Sequence, residues 1–82
     1  MTAIRVEVRD RVTDEPIPYA VVSLGEKKGV ADEFGKITFD IPEEVLGDKI
    51  KLSIRSAHYE PWDKEVEIKK RGLIVRIRPE VI

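Results

Sequence analysis

Residues 10–41 read DRVTDEPIPYAVVSLGEKKGVADEFGKITFDI, alternating turn chemistry with apolar residues at every second position. Asp14-Glu15-Pro16-Ile17-Pro18 forms a proline-bracketed turn, after which Ala20, Val22 and Leu24 fall on one face. Gly25 and Gly29 bracket a reversal. Asp32-Glu33-Phe34-Gly35 makes a second one before Ile37, Phe39 and Ile41. A segment so punctuated has no room for a helix of normal length, and it predicts closely spaced antiparallel strands.

The same alternation continues on both sides. Ile4, Val6 and Val8 point inward while Arg5, Glu7 and Arg9 point to water, predicting a first strand over 3–9 with one buried face. Further strands are expected over 19–24, 28–31, 36–41, 49–56, 63–69 and 73–78. Their inward residues include Ile50, Leu52 and Ile54, then Val66 and Ile68, then Leu73, Val75 and Ile77. Pro42 closes the fourth strand because it has no N–H to give to a ladder. Residues 42–48 hold the one candidate helical turn: proline and acids suit its start, Gly47 suits its end, and Leu46 covers the core. Seven strands with turn signals about every ten residues call for an all-β sandwich rather than an alternating α/β arrangement.

Eighty-two residues make a single domain, residues 1–82, which at this size buries about two-thirds of its unfolded surface. There is no cysteine, hence no disulfide and no thiolate zinc site. Fifteen basic residues against sixteen acidic ones give no basic excess for nucleic acid. Lys27-Lys28 and Lys69-Lys70-Arg71 read as solvated turns. No apolar run reaches the roughly 18 residues of a membrane span, and MTAIRVEVRD lacks a signal-peptide core, so a cytoplasmic location is expected. The absence of Asn, Gln and Cys beside abundant Lys, Arg and Glu is the composition expected of a thermophile protein.

The order of turns resembles the carboxypeptidase regulatory-like domain, a transthyretin-like (prealbumin-like) β-sandwich. Its pattern runs from an Asp after the first strand to "TGEPLPGA", "V-x-L" and a "G-x-x-TDExG-x-F" hairpin. Asp10, residues 13–20, Val22-Ser23-Leu24 and residues 29–37 stand at those places, and residues 56–61 are similar to an "apGYe" corner. The likeness spans residues 4–79. It implies a seven-stranded antiparallel Greek-key sandwich. Asp14, Tyr19 and His58 depart from it, standing where the pattern often has glycine, and a positive φ at His58 is strained without glycine.

The densest cluster of aromatic and reactive types is His58, Tyr59, Glu60, Trp62 and Asp63. Two readings stand side by side. His58, Tyr59 and Trp62 form a corner for a carbohydrate or peptide, or the aromatics plug the end of the core while His58 is solvated. Asp10, Asp14, Glu15, Asp32 and Glu33 lack the D-x-D-x-D-G spacing of a calcium loop, so neither metal nor cofactor is expected. No catalytic residue is assigned, because the single histidine has no nucleophile motif around a serine. Some transthyretin-like proteins are hydroxyisourate hydrolases, with several histidines and a Tyr-Arg-Gly-Ser tail. This chain has neither. The expected role is therefore a non-enzymatic module for protein–protein interaction, self-association included, or for structural support, with an exposed edge strand open to strand addition and outward Val21 and Ile74 contributing an apolar patch.

Overall fold

A computed structural model describes residues 1–81 of the chain. Seven strands form: β1 (Thr2–Asp10), β2 (Val21–Leu24), β3 (Lys27–Val30), β4 (Lys36–Ile41), β5 (Lys49–Arg55), β6 (Trp62–Glu67) and β7 (Leu73–Ile77). They build a three-stranded sheet in the order β4-β1-β7 and a four-stranded sheet in the order β3-β2-β5-β6. A single 3-10 turn, Glu43–Val45, follows Pro42 and ends before Gly47.

The alternation read from the sequence becomes the core. From the first sheet come Ile4, Val6, Val8, Phe39, Ile41, Val75 and Ile77; Val22, Leu24, Leu52 and Ile54 meet them from the second. Ile17, Ala20, Ala31 and Ile68 close the gaps from the connections, while Ile50, Leu46, Val66 and Leu73 pack half-buried around the rim. Removing one such aliphatic side chain from water contributes about 1.5–3 kcal/mol, the main force pressing the sheets together.

Three expectations need correction. The sandwich is not wholly antiparallel: β1 and β7 run parallel, with Val6 beside Leu73 and Asp10 beside Ile77. Inward–outward alternation fixes which face a strand buries, but not the direction of its neighbour. Val21 and Ile74 do not share a patch, since they occupy the outer faces of different sheets. The second strand begins at Val21 rather than residue 19, because Tyr19 has φ 61 and cannot continue an extended ladder.

The turn between β3 and β4, which carries the chain from one sheet to the other, shows how a carboxylate organises backbone. Asp32 Oδ1 accepts the Phe34 and Lys36 amides at 2.8 and 3.0 Å. Those amides, Lys36 foremost, hold the Asp32 carboxyl below its ordinary pKa.

Candidate functional site

One end of the sandwich gathers three segments that are far apart in sequence: the turn after β1, the loop before β6 and the stretch after β7. Asp10, the last residue of β1, points inward and is only 8% exposed. Its Oδ1 accepts the amides of Val12 and Thr13 at 2.7 and 3.1 Å, capping its own turn. Its Oδ2 accepts the Tyr59 hydroxyl at 2.7 Å. The Glu60 amide donates to the Arg78 carbonyl, and the Glu80 amide to the His58 carbonyl. Asp10 thus ties the loop before β6 to the end of β1, and backbone bonds tie the same loop to the tail.

This hydrogen bond perturbs both partners. The Tyr59 hydroxyl, then the Thr13 amide, lower the Asp10 pKa. The Asp10 carboxylate raises the Tyr59 phenol to about 12, with burial adding to the rise. The Asp10 contribution to stability is present above the ordinary carboxyl value of 3.8 and is lost as pH falls through the lowered folded value. The Tyr59 contribution is present below 10.0 and is lost as pH rises toward about 12. Tyr59→Phe is therefore expected to lower Tm by several degrees at neutral pH and to move the acid transition to higher pH. It also removes the decline above pH 10.0 that Tyr59 causes. Thermal melts across the pH range check this, and superimposable curves for the two proteins would refute it.

Two clefts flank the tied loop. An open apolar one of about 440 Å³ is walled by Pro18, Tyr19, Val21, Ala57, Tyr59 and Pro61. Arg55 lines it too, fixed by its Nη2 donating to both Asp63 carboxylate oxygens at 3.0 Å. Asp63 in turn is held below its ordinary pKa, first by Ser53 and then by Arg55. A smaller cleft lies on the other side of Pro61.

The three residues singled out in the sequence do not form one surface. Tyr59 is half-buried, gives its hydroxyl to Asp10 and lines the apolar cleft. Trp62 is half-buried against the core and lines the smaller cleft instead. His58 is exposed with φ 69 and lines neither. Among the described residues no three His, Cys, Asp or Glu side chains are placed to share a metal. Asp14 instead accepts Arg76 Nε at 2.9 Å.

Tyr19 is the residue that the sequence reading passed over as a site. It is 64% exposed, yet it holds a left-handed conformation that costs a bulky side chain about 1–2 kcal/mol. Its position where the family pattern has glycine was the available signal. Among the described residues no helix is long and apolar enough to cross a membrane. Comparison with protein-family models and with curated proteins finds no match to this chain.

Proposed function

We propose that this chain is a non-enzymatic binding module, a Greek-key sandwich of the transthyretin-like, carboxypeptidase regulatory-like kind, that takes an extended peptide of a protein partner in the Tyr19–Tyr59 cleft. The family reading is supported by backbone geometry. The three non-glycine residues with positive φ among the described residues are Asp14, Tyr19 and His58, at φ 63, 61 and 69. They are the same three positions at which the resembling pattern carries glycine.

The observation that carries the binding role is Tyr19, strained and exposed at the mouth of an apolar cleft. Glycine there would relieve the backbone, so the aromatic ring is kept at a cost in stability, as functional sites often require. Pro18, Pro61 and two tyrosines make the rigid, aromatic-lined groove that extended peptides dock into. Strand addition to the four-stranded sheet is disfavoured, because its edges carry Lys27 and Lys28 on one side and Asp63, Lys64, Glu65 and Glu67 on the other.

Tyr19→Gly separates fold from function. Relief of the left-handed strain, less the entropy glycine costs, is expected to raise stability by about 0.5–1 kcal/mol. Panning a random peptide library is expected to enrich sequences on the native protein and to lose them on the more stable variant. Equal enrichment on both, or none on the native protein, overturns the reading.

A further inference from the structure

The smaller cleft, about 160 Å³, is walled by Arg11, Arg76, Arg78, Trp62, Glu60 and Pro61. Arg76 lies on β7, and Arg11 and Arg78 stand just beyond the ends of β1 and β7, the parallel pair. Arg9 and Arg76 stand in register, the Arg11 amide donates to the Ile77 carbonyl, and the Arg78 carbonyl accepts the Glu60 amide. The backbone carrying the three arginines is thus held by hydrogen bonds.

The charges are unevenly answered. Arg76 is engaged through Nε by Asp14 at 2.9 Å. Arg11 and Arg78 form no ion pair among the described residues, and Glu60 forms none with them although it shares their cleft. Two guanidinium forks on one pocket wall suit an oxyanion that offers several acceptors in different directions. With Arg11, Arg76 and Arg78 set against Glu60 the lining is net positive, and a phosphate monoester, about −1.5 to −2 at neutral pH, uses it more fully than a carboxylate, which carries about half that and fills one fork. The volume accommodates the phosphate group and not a large carrier. An adjoining cleft of about 410 Å³ shares Arg11 and Arg78 and adds Val12, Pro79, Glu80 and Val81, giving the carrier a largely apolar bed next to the phosphate cleft.

We propose that Arg11, Arg76 and Arg78 bind the phosphate of a small monoester in the cleft that Trp62 lines, with its carrier in the adjoining cleft. The site is distinct from the Tyr19 cleft and stands or falls separately from it. Trp62 is the only tryptophan of the chain, so its fluorescence reports on this pocket directly. Phenyl phosphate and a hexose phosphate, titrated at constant ionic strength, are the probes, with benzoate as the carboxylate comparison. A saturable change with at least one ester is expected, and the tighter one tells an aromatic carrier from a sugar. Benzoate should bind at least about tenfold more weakly, the loss expected when charge-assisted bonds are forfeited.

The double variant Arg11→Gln/Arg78→Gln should abolish the response with Tm unchanged, since both side chains are exposed. Lys69→Gln/Lys70→Gln, outside the pocket, should keep it. Amide shifts on adding the ester should concentrate at residues 11, 60, 62 and 76–78. No saturable change with either ester, an undiminished response in the arginine double variant, or benzoate binding as tightly as the esters would each overturn the assignment.

Discussion

Leu52→Ala is expected to destabilise the protein by about 2–5 kcal/mol, the cost of deleting a buried isobutyl group and leaving a cavity. Leu52 is fully buried in β5, between β2 and β6, with Leu24 as its partner on β2. A chain of this length has a total stability of only about 4–12 kcal/mol, so the variant sits near the limit of folding at ambient temperature. Urea unfolding followed by far-ultraviolet dichroism measures the loss. A change below about 1 kcal/mol would mean that the two sheets do not close over this position.

Gly35→Ala is the second large effect, and its cause differs. Gly35 closes the turn between β3 and β4 at φ 74, and a Cβ there would lie 2.6 Å from the Val8 carbonyl oxygen and 3.0 Å from that of Ile17. Both neighbours are backbone already engaged. Val8 donates to the Gly35 carbonyl at 2.8 Å, and Ile17 donates to the Val8 carbonyl at 3.0 Å. The methyl group must therefore push the turn off β1. The left-handed conformation costs about 1 kcal/mol or more, and breaking the docked hydrogen bonds brings the total to about 3 kcal/mol. Gly47→Ala is the matched comparison: its φ is 91, but nothing lies within 4 Å of the added carbon. The gap between the two variants in chemical denaturation isolates the clash. Equal losses would show that backbone conformation alone governs both sites.

The sequence made the buried faces readable wherever apolar residues alternate without interruption. Ile4, Val6 and Val8, or Leu52 and Ile54, can face the core in only one register, because a slip by one residue puts them all in water. Turn chemistry was equally legible: Asp32 and Gly35 sit where carboxylate capping and a left-handed glycine are required. Strand direction was not, since the β1–β7 pairing joins segments separated by most of the chain and leaves no local trace. The candidate sites failed to be legible for the same reason. Tyr19 meets the loop before β6 only after folding, and Arg11 meets Arg78 only because two distant strands lie side by side. Sequence proximity grouped His58, Tyr59 and Trp62, whereas Pro61 divides Tyr59 from Trp62 by lining both clefts.

The co-directional first and last strands have a mechanical corollary. Tension applied between Thr2 and Ile77 runs along the axis of both strands, so the bonds joining them are loaded in shear and share the force. A hairpin pulled from its open end would instead release its bonds singly, like a zip. The five matched positions from Val6–Leu73 to Asp10–Ile77 thus act as a clamp across the fold, a geometry suited to bearing load along the chain.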